Sequence, residues 1–255
     1  MKGRRGFLAC RCDELRLAFM LLSRLPMGRV AAAPPLAQSF WAYPLVGAVI
    51  GGAAGLVLWG ALAVGLPPLA AATVALGVSL LLTGAMHEDG LADTADGFGG
   101  GDSVARTLEI MRDSRLGSYG VLALITVCGL RIGLWAELGA GIDSVMILAL
   151  IGALSRAILP PMMLCVPMAR TDGLGYKAVD GDGAGGAVLG GVATAAICAT
   201  VLENGIVIVS AAIGAACFIG IVAKRKISGL SGDVLGTIQV VAENVSLIGV
   251  FIFSQ

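Results

Sequence analysis

From Val30 to Met86 the chain carries no charged residue, a run of about 57 positions. A helix that crosses a bilayer needs about 20 consecutive apolar residues. The run therefore holds two crossings, and a water-soluble globule could not tolerate it. Pro67 and Pro68 stand in its middle and mark the turn between the two. The rest of the chain agrees: of 255 residues, 57% are hydrophobic and 13% charged, against about 25% charged in soluble domains. The same apolar excess excludes a disordered chain. The formal net charge is zero, from 17 basic and 17 acidic residues, which argues against nucleic acid held by bulk charge.

Five further apolar stretches follow: Tyr119 to Leu138, Val145 to Met168, Gly185 to Leu202, Gly205 to Ala223 and Leu235 to Phe253. The expected fold is thus all-α, a polytopic integral membrane helical bundle of about seven transmembrane helices. With every loop shorter than about 35 residues, no soluble domain is left over, and residues 1–255 read as a single membrane-embedded domain. Small residues recur at helical spacing, as in Gly47, Gly51 and Gly55 or the pair Gly190, Gly191. Lipid gives no hydrophobic drive for helix association, so close backbone approach through such residues is what packs the helices.

Charge distribution sets an expected orientation, because Lys and Arg near span ends stay cytoplasmic. Lys2, Arg4, Arg5, Arg11, Arg16, Arg24 and Arg29 precede the first span, which puts the N-terminus inside. Alternation then places inside the segments with Arg106, Arg112 and Arg115, with Arg170 and Lys177, and with Lys224, Arg225 and Lys226. The outer loops hold Glu137, Asp143 and Glu203. The C-terminus falls outside. The first residues are amphipathic, not apolar, so they predict a retained helix at the interface, not a cleaved signal peptide. Six scattered cysteines read as reduced structural thiols.

One stretch stands apart. His87 to Tyr119 holds seven of the chain's 17 acidic residues and its single histidine. Asp89, Asp93 and Asp96, at i, i+4 and i+7, share one face of a helix. Like charges so placed repel, so the arrangement calls for a cation, and Mg²⁺ or Mn²⁺ takes carboxylates together with substrate phosphates. Glu109 and Asp113 form a second i, i+4 acidic pair, interleaved with Arg106, Arg112 and Arg115. Carboxylates and guanidinium forks together suit phosphoryl transfer. A wet cytoplasmic loop would use the same residues, and the glycines of 99–101 lack the G-K-[ST] that would make them a P-loop.

Single residues are read the same way. His87 is either a hydrogen-bonded structural residue or a direct ligand or base. Arg156 lies deep in a span just before Pro160 and Pro161, which should break that helix. It either faces an anion pocket open to the cytoplasm or forms a structural salt bridge. Arg131, nearer the outer end, is expected to snorkel. Glu243 would be expensive unpaired. Two further loops combine cations with tight turns: Arg170 with the glycines that follow, and Lys224, Arg225 and Lys226 with Asp233 at a helix start.

These residues resemble the cobalamin synthase family, the adenosylcobinamide-GDP ribazoletransferases. The pattern H-x-D-G-L-A-D-x-x-D-G is met by His87, Asp89, Gly90, Leu91, Ala92, Asp93, Asp96 and Gly97, and L-E-I-M-[RK]-D-S-R-x-G-[ST]-[YH]-G from Leu108 to Gly120. Similarity extends to Ser23-Arg24-Leu25-Pro26, Pro44 with Gly47, Ser155 with Arg156, Arg170 with Gly173, Lys224 with Arg225, and Gly232 with Asp233, which covers nearly the whole chain. Ser228, Leu230 and Ser231 depart from the family pattern. The resemblance implies a Mg²⁺-dependent transfer of adenosylcobinamide phosphate from adenosylcobinamide-GDP to α-ribazole or its 5′-phosphate, releasing GMP, at the inner (cytoplasmic) membrane of a bacterium. It implies that Asp89, Asp93 and Asp96, with Asp113, hold the metal, and that Arg112, Arg115 and Arg156 stabilise the leaving charge. His87, Arg106, Glu109, Arg170, Lys224, Arg225 and Asp233 are expected to contact substrate. It leaves open a homo-oligomer or association with other enzymes of the pathway. Two other readings compete. A CDP-alcohol phosphotransferase is partly imitated by Asp93-x-x-Asp96-Gly97, though the spacing to the next acidic pair is too short. A transporter would suit the broken span with Arg156, but its site belongs at the midplane between repeated halves.

Overall fold

The computed structural model describes residues 7–30, 33–169 and 183–253. Among them the regular structure is helical, joined by one parallel bridge between Met168 and Leu230. In chain order the helices are α1 (Phe7–Leu22), a 3₁₀ segment (Leu36–Ala42), α2 (Tyr43–Ala63), α3 (Pro68–Thr83), α4 (Met86–Gly100) and α5 (Val104–Ile110). They continue as α6 (Ser118–Glu137), α7 (Ile142–Ala157), α8 (Leu159–Cys165), α9 (Ala184–Val201), α10 (Gly205–Ile227) and α11 (Gly232–Phe253). Among the described residues six stretches are long and apolar enough to cross a membrane: Leu36–Ala63, Ser118–Glu137, Ile142–Cys165, Ala184–Val201, Gly205–Ile227 and Gly232–Ile252. A seventh is reached when α3 and α4 are taken as one span bent by 90°.

The main packing seam is α2 against α7. Here the Gly47, Gly51, Gly55 stripe lies directly on the α7 backbone. A Cβ on Gly51 would meet the Leu148 carbonyl, and one on Gly47 the Gly152 carbonyl. The small-residue spacing therefore does what it was expected to do. Proline stands in the first turn of three helices, where its fixed φ is tolerated: Pro44 in α2, Pro68 in α3, and Pro160 and Pro161 in α8 after α7 stops at Ala157. Buried Glu14 ties α1 to the 3₁₀ segment, accepting a 2.7 Å hydrogen bond from Trp41 Nε1 and pairing with Arg11 at 2.9 Å. Leu230, one of the departures from the family pattern, is fully buried. Its backbone N–H donates to Pro167 O at 2.8 Å, and its carbonyl accepts from Ala169 N at 2.7 Å. All six cysteines are free thiols.

The sharpest local event is the corner between α3 and α4. Sixteen residues at about 1.5 Å each give α3 about 24 Å, short of the about 30 Å hydrocarbon core. Then Gly84 (φ 67°) and Ala85 (φ 53°) both take left-handed backbone. Glycine does so freely, whereas alanine pays roughly 1–2 kcal/mol. Thr83 Oγ1 offsets part of that cost by accepting from Ala85 N at 3.3 Å while donating to the Ser79 carbonyl at 3.1 Å. The absence of a Cβ on Gly84 leaves the space that the Arg24 side chain fills, and Arg24 N donates to Leu82 O at 2.7 Å. The segment between the second and third expected spans is largely helical, as the spacing of its aspartates implied and against the alternative of a plain wet loop: α4 carries Asp89, Asp93 and Asp96, and α5 follows it.

Candidate active site

α4 lies between α6 and α11 and runs against both. On the α11 side Thr237 Oγ1 donates to the Gly90 carbonyl at 3.2 Å. On the α6 side Asp96 reaches the start of that helix, where Oδ2 accepts from Gly117 N at 2.7 Å and Oδ1 from Gly120 N at 2.9 Å. The first N–H groups of a helix lack intrahelical partners and carry partial positive charge. Asp96 therefore serves as a cap supplied from another helix. Buried and with each oxygen engaged, it is separated in role from Asp89 and Asp93, with which its spacing grouped it.

Asp89 and Asp93 open instead onto a cavity of about 460 Å³. Glu88, Arg112, Asp113 and Arg115 line the same cavity. The stretch after α5 thus folds back beside α4, and two arginines share the cavity wall with the acidic helix. Glu109 and Asp113 are not a helical pair as expected, because α5 ends at Ile110. Each acid takes its own arginine. Glu109 pairs with Arg106 at 2.8 Å on the exposed surface. Asp113 holds Arg115 through a fork, Nη2 to Oδ2 at 2.6 Å and Nε to both oxygens at 3.1 Å. The Arg115 side-chain hydrogen bonds, joined by its backbone N–H, hold the Asp113 carboxyl down to about 2, and the same bonds push the Arg115 guanidinium up.

That depression has a testable sign. A lowered carboxyl pKa stabilises the pair above the unfolded carboxylate range and is lost only as pH falls through about 2. Asp113 is thus fully ionised throughout the working range. A pH–rate profile of Asp113→Asn between pH 5.5 and 9 is expected to keep the same limbs as the parent with a lower plateau. A limb that disappears would show that Asp113 itself titrates in catalysis.

Behind the cavity lies a charged cluster inside the bundle. Arg131 of α6 donates from Nη1 to Glu88 Oε1 at 2.8 Å, and its Nε lies 3.7 Å from Glu243 Oε1 of α11. Arg156 of α7 donates to Glu243 Oε2 at 3.2 Å, to Ser155 Oγ at 3.2 Å and to the Gly152 carbonyl at 3.3 Å. Gln239 donates to Glu243 Oε2 and to Ser155 Oγ. Both expectations for isolated arginines are thereby corrected or narrowed. Arg131 does not snorkel: it is 2% exposed and paired across the bundle. Arg156 takes the salt-bridge alternative, buried against Glu243 and not in a pocket open to the cytoplasm. Glu88 has no role in the sequence reading. Two arginines and one glutamate inside spans leave one charge unmatched, and that imbalance was the available signal for it.

The remaining expected residues are more dispersed. His87 is buried on the other side of α4 and lines a separate, apolar cavity. Asp233 sits in the first turn of α11 and accepts from Ser231 Oγ at 3.2 Å. Lys224 and Arg225 are exposed at the end of α10, where Lys226 Nζ donates to Phe98 O of α4 at 2.9 Å. Arg170 lies outside the described residues. Among the described residues no three carboxylate, imidazole or thiolate groups converge closely enough to hold an ion unaided.

Comparison with known proteins adds the family. The profile described as Cobalamin-5-phosphate synthase matches residues 14–251. Curated relatives named adenosylcobinamide-GDP ribazoletransferase include that of Azorhizobium caulinodans, 43% identical over 95% of this chain and 96% of the relative. That of Bradyrhizobium diazoefficiens is 40% identical over 92% of each, and that of Mesorhizobium japonicum 37% identical over 91% and 90%. No solved structure matches this chain. With both signature stretches folded around one cavity and the match running almost from end to end, the chain belongs to the cobalamin-5-phosphate synthase family.

Proposed function

We propose that this chain catalyses the final nucleotide-loop assembly step of cobalamin biosynthesis. It transfers adenosylcobinamide phosphate from adenosylcobinamide-GDP to α-ribazole or α-ribazole 5′-phosphate, with release of GMP. The observation that carries the reading is the cavity itself, whose lining brings together Asp89, Asp93, Arg112 and Arg115. In this reaction the acceptor hydroxyl oxygen bonds to the cobinamide-side phosphorus, the P–O bond to GMP breaks, and the hydroxyl proton is released. Arg112 and Arg115 are placed to take the charge that passes to GMP. Asp113 keeps Arg115 oriented and, held at about 2, is too weak a base to accept the proton.

The donor set suits Mg²⁺, or Mn²⁺ in its place. Such ions keep several waters and bind through one or two carboxylates plus substrate phosphates, so the lack of a three-residue cage is no obstacle. Asp89 and Asp93 would hold the ion, and Glu88, whose buried Oε2 has no hydrogen-bond partner, is among the residues of the same cavity wall. When bound, the ion supplies neutralisation of the diphosphate charge. Asp96, capping α6, would position α4 rather than bind the ion. We place the chain in a bacterial inner membrane as one domain, with this cavity on the cytoplasmic side. Two features support that side: the basic residues flanking the cavity, and the Lys226 contact that brings the basic end of α10 to α4.

The test is direct. Purified chain in detergent, given adenosylcobinamide-GDP, α-ribazole and Mg²⁺, is expected to release GMP and form adenosylcobalamin in equal amounts. EDTA should stop both, and added Mg²⁺ should restore them. A CDP-linked donor should give no product. GMP release that ignores α-ribazole, or turnover that survives EDTA, would overturn the reading.

A further inference from the structure

The acidic helix is tied to α6 at two points. Near its start, Glu88 Oε1 accepts from Arg131 Nη1 at 2.8 Å, a pair whose side chains are 9% and 2% exposed. Toward its end, Asp96 accepts from Gly117 N and Gly120 N at the start of α6. Asp89 and Asp93 lie between these anchors. At about 100° per residue, Asp96 falls about 80° round the helix from Glu88, and Asp89 and Asp93 fall about 40° from each other. The anchored side of α4 thus adjoins the side that opens onto the acidic cavity. The contacts with α11 are of another kind. A Cβ on Gly90 would meet the Asp233 backbone at 2.7 Å, and one on Gly236 the His87 backbone at 3.1 Å. Glycine lying on backbone lets two helices approach closely but presents no side chain to resist rotation. The bond from Thr237 Oγ1 ends on the Gly90 carbonyl, close to the helix axis, where a rotation moves atoms least.

Resting on the metal site proposed above, we infer that Arg131 is a positioning residue of the reaction: through Glu88 it sets the rotation of α4 at which Asp89 and Asp93 reach one divalent ion together. Arg131 acts through Glu88 and binds neither ion nor substrate itself. Its guanidinium is backed by α11 as well, with Nε 3.7 Å from Glu243 Oε1. Ligating groups must be held within about 0.5 Å and 10–20° of the productive arrangement, and loss of a group that orients them typically costs 10–100-fold in metal affinity. A buried ion pair replaced whole by apolar residues is often neutral in stability. The Glu88–Arg131 pair can therefore be removed with the fold retained, because Arg156 and Glu243, 3.2 Å apart, still balance each other.

The test is Glu88→Leu combined with Arg131→Met. Its thermal unfolding midpoint in detergent is expected within about 4 °C of the parent. Mn²⁺ alone, titrated into the purified chain and read by the electron paramagnetic resonance of the free ion, should bind about tenfold more weakly than to the parent, at a site that Asp93→Asn abolishes. In turnover, the Mg²⁺ concentration for half-maximal rate should rise about tenfold, with saturating Mg²⁺ recovering most of the rate. A merely structural role would lower the rate and leave that concentration where it was. Arg131→Lys keeps the charge beside Glu88, so it should fold and bind Mn²⁺ with intermediate affinity; it carries the test alone if the double variant does not fold. Glu243→Leu with Arg156→Met removes the other pair of the cluster and should leave the Mn²⁺ constant within twofold. A folded Glu88→Leu, Arg131→Met chain that binds Mn²⁺ within twofold of the parent overturns the inference while the function stands. So does equal weakening in both double variants, or, where only Arg131→Lys folds, an Mn²⁺ constant equal to the parent's. A parent chain with no Mn²⁺ site that depends on Asp93 overturns it as well. If Mn²⁺ binding weakens as expected but the parent makes no GMP, the function fails while the positioning role stands.

Discussion

Asp93→Asn is expected to lower turnover by about a thousandfold or more at saturating Mg²⁺, with folding retained. The substitution keeps the shape of a half-buried side chain while removing one of two carboxylates that open onto the cavity. Removing a single electrostatic contact to a developing charge typically costs 10²–10³ in rate, and a metal ligand adds weakened ion binding to that loss. Asp89→Asn should follow in the same direction, and higher Mg²⁺ should recover part of either loss. Asp96→Asn should behave differently. Its oxygens already engage Gly117 and Gly120, so its loss should lower thermal stability and leave the Mg²⁺ dependence of the remaining activity unchanged. Thermal unfolding in detergent and Mg²⁺ titration of the rate check both. Asp93→Asn with normal metal-dependent turnover would remove the basis of the proposed chemistry.

The second large effect is on stability. Glu243→Leu should destabilise the bundle by about 3–5 kcal/mol, the cost of breaking a buried ion pair by removing one partner. Glu243 serves Arg131 and Arg156 together, so after its loss two buried guanidinium groups are left with Glu88 as the remaining carboxylate of the cluster. Arg156→Met added to Glu243→Leu should recover much of the loss, since Arg131 then keeps Glu88 at 2.8 Å. Thermal unfolding of the single and double variants reads the coupling. Simple additivity of the two losses would show that the cluster is not one electrostatic unit.

The spans were legible from composition alone. α6, α9 and α10 begin within one or two residues of the apolar stretches that announced them, because a bilayer demands continuous apolar length and little else. The acidic motif was legible as a helix, since the spacing of Asp89, Asp93 and Asp96 placed them on one helical face and they lie in α4, but not in its tertiary setting. α4 is rich in glycine and polar residues, which argue for a loop locally. It is helical because α6 and α11 pack on it and because Lys226 and Thr237 bind its backbone carbonyls. The shared helical face of Asp89, Asp93 and Asp96 could not reveal that the third faces a helix start. Nor could the position of Arg131 in its span reveal a partner 43 residues earlier. Tertiary contacts decided both.

The corner at Gly84 and Ala85 carries one more consequence. A single residue inserted between Ala85 and Met86 would turn every downstream side chain by about 100° about the helix axis if the flanking helices held α4 in place. The carboxylates that now look into the cavity would then be swept toward α6 or α11, although no acidic residue had been lost. Length variation at the opposite turns, such as residues 64–67 or 138–141, carries no such rotation into the site. Tolerance of insertions along this chain should therefore be strongly lopsided, with the α3–α4 hinge as its most intolerant point.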